Sequence, residues 1–258
     1  MLPRSVALSV NRRQREPWEQ QALGELRHGN VAAAVAAYGT HQRLIRVESR
    51  EDTVNDAVNR WFEARDAGLS PVLVAGTNEL VAHLNRAVVQ QLIHNGELAD
   101  EPAGGYGREQ WREGDRVVLR RNSTQERDAD GRPAAVLNGQ VGIVISMGDR
   151  TMTIGLDRGR TVRRDAGYLA RGGWVEHGYA ATSTRAQGGT WDVAIACGAD
   201  GLYREAAYVE LSRGRVANWL VSLRRKSTKS SGSAPASSNG MTTASTSPAR
   251  NPLPTTRR

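Results

Sequence analysis

A single cysteine, Cys197, stands in 258 residues. That excludes an intramolecular disulfide and any cysteine-based zinc site. Its place in the apolar run VAIAC (193–197) reads as a small buried hydrophobe. Lysine is almost as scarce: two of the 35 basic residues are lysine, the bias expected of a GC-rich genome. No apolar run approaches the roughly 18 residues of a membrane span. The opening MLPRSVALSVNRRQ lacks the apolar core of a signal peptide. A cytoplasmic protein with no membrane partner is expected. The five histidines (His28, His41, His83, His94 and His177) are scattered without metal-ligand spacing, so no metal site is expected.

Positive charge is present but unevenly placed. The formal net charge is +8, yet seven basic residues and no acidic one lie from Arg224 onward, leaving about +1 for residues 1–223. The charge of the folded part therefore argues only weakly for nucleic acid. Two local patches survive the correction, VVLRRN (117–122) and RGRTVRR (158–164). The Ser/Thr/Pro-rich stretch 224–258 has too little apolar content to offset chain entropy and reads as a disordered basic tail.

The first hundred residues alternate strand and helix. RSVALSV reads as a strand. Pro17 suits the first turn of a helix that runs through WEQQALGELR and stops near Gly29. VAAAVAAY is a second helix and RLIRVE a short strand. Val54, Ala57, Val58 and Trp61 form the i, i+3, i+4, i+7 stripe of a helix ending at Gly68. PVLVAG is a near-continuous apolar strand of the kind buried on both faces of a parallel sheet. Thr77 or Asn78 can cap the next helix, which packs through Val81, Leu84, Val88 and Leu92. This alternation predicts an α/β fold with a parallel sheet.

Between Gly104 and Trp174 the pattern changes to short β segments: DRVVLRRN, AAVLNGQVGIVISM, TMTIGLDRG and RTVRRDAGYL. Asp130-Gly131, Asn138-Gly139 and Gly148-Asp149 separate them as turns. A small antiparallel barrel without helix, inserted into the α/β unit, is expected. WVEHGYAATST and WDVAIAC then resume as strands, LYREAAYVELSRG is helical at least in part, and NWLVSL closes as a strand. Between two of these strands lies the polar loop TSTRAQGG (182–189). A basic, glycine-containing loop there is suited to phosphate, although such a loop is also an ordinary turn.

Three stretches in this order, LSVNRRQ (8–14), YAATSTRAQGGTWD (179–192) and REAAYVELSRGR (204–215), carry a resemblance. With the β insertion just before the second, they resemble the second motor lobe of superfamily 1 DNA helicases of the RecD-like branch. The run NRRQREPWEQQALGELRHGN is similar to the helicase part of conjugative relaxases of the TraA/TraI type. The resemblance spans about residues 5–223. It implies a RecA-like lobe in two parts, 1–103 and 175–223, around an SH3-like barrel at 104–174, with the tail at 224–258.

The same resemblance implies roles for individual residues. Arg13 and Arg213 would be arginine fingers that neutralise the γ-phosphate of ATP during transfer. Gln14, Gln187 and Gly188 would complete the ATP contacts. Thr182, Thr184 and Arg185 in the polar loop, and Thr77 and Asn78 at a strand's carboxyl end, would face single-stranded DNA. Arg120, Arg121 and Asn122 of the barrel would hold DNA phosphates without reading bases. Plainer roles stand beside these: ion pairing for the two fingers, a helix cap for Thr77 and Asn78, and a solvated strand edge for Arg120–Asn122.

The departures from that family are large. There is no G-x-x-x-x-G-K-[ST] loop and no Asp-Glu pair at a strand end to hold Mg²⁺. Both belong to the first lobe, expected before residue 1. ATP and Mg²⁺ are thus expected only in a complete motor, with the first lobe supplied by a longer gene or a separate chain, and no autonomous hydrolysis is expected. The alternatives are a non-enzymatic nucleic-acid-binding module, an inactive relaxase or helicase fragment, or a peptide-binding barrel.

Overall fold

A computed structural model describes residues 13–106, 109–123, 135–157, 159–169, 174–186, 191–198 and 204–224. The chain begins with α1 (Pro17–His28), α2 (Val31–Thr40), β1 (Leu44–Val47), α3 (Arg50–Asp66), β2 (Pro71–Ala75) and α4 (Asn78–His94). Local chemistry sets the boundaries. Pro17 opens α1, and Gly29 ends it with a left-handed φ of 91° that a Cβ would oppose. Ser49 and Asp52 form a reciprocal capping box on α3. Thr77 caps α4 by accepting from the Leu80 amide.

A run of short strands follows: β3 (Gly104–Tyr106), β4 (Glu109–Trp111), β5 (Arg116–Leu119), β6 (Val141–Gly148), β7 (Thr151–Leu156), β8 (Thr161–Asp165), the helical turn α5 (Ala166–Leu169) and β9 (Val175–His177). The chain then returns through β10 (Ala180–Thr182), β11 (Trp191–Gly198), α6 (Arg204–Leu211) and β12 (Gly214–Leu223).

The central sheet has the order β1-β12-β11-β2-β10, and every described pairing in it is parallel. The fold is mixed α/β with a parallel central sheet. Strand alternation divides its apolar residues between two faces. Val193, Ile195, Cys197, Ala217, Trp219 and Val221 pack against α3 and α4. On the opposite face, Ala196 and Leu220 meet α1, α2 and α6, while Val72, Val74 and Ala194 meet Ala186. Cys197 is fully buried, as expected, and burial pushes its thiol pKa up.

The second sheet is antiparallel, in the order β8-β7-β6-β5-β9. All five strands feed one core, from Val175 on β9 to Val162 on β8. Among the described residues this segment is a five-stranded sheet whose edge strands β8 and β9 each pair on one side only. Two details depart from the expected strands. RTVRRDAGYL turns helical at Ala166 because the Asp165 carboxylate accepts from the Tyr168 amide. AAVLNGQVGIVISM becomes a strand only at Val141; before the Asn138-Gly139 turn, Val136 makes an isolated bridge to Ser123. The pair β3-β4 was not anticipated at all.

Two residues, Gly178 and Tyr179, carry the chain from the antiparallel to the parallel sheet. The Asn85 Oδ1 accepts from the amides of Tyr179 and Ala180 at 3.1 and 2.9 Å. The Tyr179 hydroxyl accepts from the Arg116 amide at 3.0 Å and reaches the buried Asp115 carboxylate. Both sheets are thus anchored to one short segment. No helix among the described residues is long and apolar enough to cross a membrane. The expected strand RSVALSV and the tail beyond Arg224 lie outside the described residues.

Candidate functional site

The turn before α1 and the turn between α6 and β12 meet, although 200 residues separate them. The Arg15 amide donates to the Arg215 carbonyl at 3.1 Å, which lays one turn along the other. Arg13 Nη1 donates to the Ser212 carbonyl at 3.0 Å, and the buried Gln14 Nε2 to the Gly214 carbonyl at 2.9 Å. Arg213 uses its Nε on the Val209 carbonyl at 2.7 Å. Its two terminal nitrogens have no protein partner among the described residues. Burial, and then the neighbouring Arg13 charge, lower the Arg213 pKa from the usual arginine value. Two guanidinium groups are thus held together by bonds to backbone carbonyls, an arrangement suited to a multiply charged anion.

A buried polar network stands behind these turns. Asn218, fully buried in β12, accepts from the Gly214 amide at 2.7 Å and donates to its carbonyl at 3.0 Å. It also bonds Glu19, whose other partner is the Tyr38 hydroxyl at 3.1 Å. Burial raises the Glu19 pKa to about 7, against the lowering effect of these bonds and of Arg43. Glu210 on α6 is a second buried carboxyl, raised by burial to about 7. It accepts a short hydrogen bond from the Ser183 hydroxyl, so the polar loop after β10 is tied to the helix that precedes Arg213.

These two carboxyls make stability depend on pH. Their pKa values are raised in the folded chain, so their stabilising contribution is complete below about pH 4.5. It is lost as pH rises to about 7. Relative to a Glu19→Gln/Glu210→Gln double variant, the wild type is expected to lose about 3 kcal/mol per group across that window. Urea denaturation at several pH values measures this. Parallel pH curves for the two proteins would show that neither carboxyl is buried as described.

The residues expected to face DNA fall into separate places. Thr77 and Asn78 sit at the carboxyl end of β2, beside the carboxyl end of β10 that leads to Thr182. The Thr77 hydroxyl is occupied as a helix cap. Thr182 Oγ1 accepts from the Arg185 amide at 3.3 Å, and Thr184 is exposed. Ala186 folds the loop back onto the sheet, against Val72, Val74 and Ala194. Gln187 and Gly188 lie outside the described residues.

Arg120 and Arg185 come together although they follow strands of different sheets: both donate to Glu176 Oε2, each at 2.8 Å. Burial lowers the Arg120 pKa, against the Glu176 charge that raises it. Arg121 lies over the Trp174 ring at 4.8 Å, and Asn122 Oδ1 accepts from the Asn138 amide at 2.6 Å. Arg121 and Asn122 thus also brace the second sheet.

Sequence reasoning missed Glu19, Glu210, Asn218 and Glu176. The first two had a signal: each occupies the inward stripe of its helix, Glu19 with Ala22, Leu23 and Leu26, and Glu210 with Ala207 and Leu211. Asn218 interrupts the apolar strand VANWLV. Glu176 had none, because its partners come from two sheets. No group of three or more His, Cys, Asp and Glu side chains among the described residues could hold a metal ion.

No family model matches the chain. In sequence it is similar to the conjugal transfer protein TraA of Agrobacterium fabrum, at 26% identity over 208 residues, covering 79% of this chain and 18% of that protein. A probable conjugal transfer protein TraA of Sinorhizobium fredii is 25% identical over 206 residues, with the same coverage of 79% and 18%. The chain therefore spans less than a fifth of the length of these relatives. Among solved structures, it is similar to the Pif1 helicase from Bacteroides in complex with ADP-AlF3 and ssDNA. That match has 17% identity and a TM-score of 0.49, over 81% of this chain and 49% of that one. The Pif1 helicase from Candida albicans is 13% identical, with a TM-score of 0.39, over 67% and 52%.

Proposed function

We propose that the chain is the second motor lobe of an ATP-dependent DNA helicase of the conjugal-transfer type, with the RecD-like arrangement. The observation that carries this reading is the meeting of Arg13 and Arg213 across 200 residues of sequence. The similarity to TraA proteins supports it. On this reading the two arginines act as fingers, with Gln14, Gln187 and Gly188 beside them, on an ATP held by a P-loop lobe that this sequence lacks. Residues 1–103 and 175–223 form the lobe around an SH3-like insertion at 104–174. Single-stranded DNA lies along Thr77, Asn78, Arg120, Arg121, Asn122, Thr182, Thr184 and Arg185. A second reading is a non-enzymatic nucleic-acid-binding module that uses the same DNA surface without hydrolysis.

The chain alone is expected to release no phosphate from ATP above background, with or without single-stranded DNA. Turnover that vanished in Arg213→Ala would reveal a phosphate-binding loop within this sequence. DNA binding is expected to be weak, indifferent to base sequence and steeply salt-dependent, because backbone phosphates carry no base information. Affinities of residues 1–223 and 1–258 across a salt series separate site from tail. The shorter chain is expected to retain binding that Arg120→Ala with Arg121→Ala lowers. Binding that departs entirely with the tail would refute a DNA surface on the lobe.

A further inference from the structure

The two sheets face each other across a cleft of about 680 Å³, whose lining includes Arg116, Arg120, Arg185, Asn138, Gln140 and Trp191. Its basic residues are not equivalent. Arg116 has its own carboxylate, Asp157, at 2.7 Å. Arg120 and Arg185 share a single oxygen of Glu176. Two guanidinium groups therefore face one negative charge, and the Arg120 side chain is only 11% exposed, so water offsets the excess charge poorly. One carboxylate oxygen also satisfies few of the ten N–H donors that two arginines carry. Glu176 itself is 30% exposed.

Both guanidinium groups crowd onto the one oxygen Glu176 Oε2. A phosphodiester has the same single charge, but entering from the cleft it can turn one outer oxygen to each guanidinium. We infer that Arg120 and Arg185 form a clamp for one backbone phosphate of single-stranded DNA, and that Glu176 is the internal carboxylate competing with that phosphate. The inference rests on the DNA reading above and adds to it a built-in brake on affinity. The Thr182 hydroxyl, by accepting the Arg185 amide, holds the loop half of the clamp in place. The strand β5, which ends at Leu119, holds the other half.

Binding of a fluorescent oligothymidylate by the full chain across a salt series tests this. Glu176→Gln is expected to bind about fivefold to tenfold more tightly than wild type. Its salt slope should steepen by about 0.7, the share of one phosphate on a single strand. Glu51→Gln, which removes the same charge from the exposed start of α3, is expected to change affinity less than twofold. Glu176→Asp keeps the charge but is one methylene too short to serve both arginines, and should give a smaller gain of the same sign. Adding Arg120→Ala to Glu176→Gln should abolish the gain. The basic tail is common to all these proteins, so ratios between them read the clamp. Wild-type binding that Glu176→Gln tightens no more than Glu51→Gln does, or a gain that survives Arg120→Ala, overturns the clamp and leaves the DNA reading standing. No binding by either the wild type or Glu176→Gln overturns both.

Discussion

An Arg213→Ala variant, joined to a P-loop lobe that binds ATP, is expected to turn over ATP at least about 10³-fold more slowly than its parent. Arginines reaching the γ-phosphate act on charge that spreads over its outer oxygens during transfer, where preorganised donors count most. Arg213 is preorganised by its own Nε, spent on the Val209 carbonyl, which leaves both terminal nitrogens for the anion. For that reason Arg213→Lys is expected to recover little: one ammonium cannot hold the carbonyl and present two further donors in a plane. The alanine variant should fold, since the side chain is only partly buried. Its melting curve separates lost catalysis from lost structure. Steady-state phosphate release measures the effect, and a folded variant with parental turnover would remove Arg213 from the ATP site.

Gly214→Ala is expected to cost about 3 kcal/mol or more of stability, and to disturb both arginines at once. A Cβ there would lie 2.3 Å from the Ala217 carbonyl oxygen and 2.8 Å from both the Ala194 amide and the Asn218 Oδ1. Two of these atoms are backbone in the central sheet. The third is a side chain locked by two hydrogen bonds to Gly214 itself. None can yield cheaply. The turn would have to move, carrying with it the Ser212 and Gly214 carbonyls that receive Arg13 and Gln14. Gly76→Ala is the matching control: nothing lies within 4 Å of its added Cβ, and a change within about 0.5 kcal/mol is expected. Urea midpoints for the two variants decide the matter. Equal midpoints would mean that the close approach at Gly214 is not real.

The parallel half was legible because its signals are local. PVLVAG and VAIAC are unbroken apolar runs, and Val54–Trp61 and Val81–Leu92 repeat at helical spacing. The antiparallel half was legible only in kind. The Asn138-Gly139 turn could be read, with Gly139 at a left-handed φ of 87°. The helical turn after β8 could not, because it depends on one carboxylate reaching one amide. The same limit applies to the site. Nothing near Arg13 points to Arg213; their pairing was expected from family resemblance alone. The residues that hold those turns in place, Asn218 and Glu19, are visible only as polar interruptions in apolar patterns. Glu176 alternates like any solvent-facing strand residue, and its two arginines come from elements that only the fold brings together.

The two-residue passage between β9 and β10 has a mechanical meaning. Two residues extend at most about 7 Å, so Gly178 and Tyr179 offer no slack between the sheets. Tyr179 is also gripped at both ends, its amide by α4 and its hydroxyl by the start of β5. A load on the antiparallel sheet must therefore pull directly on β10, one residue before Ser183 and its bond to Glu210 on α6. The chain thus links the second sheet to the helix that precedes Arg213 through a short covalent passage and one side-chain hydrogen bond. A passage this short leaves little chain in which a displacement of the second sheet could be taken up before it reaches β10.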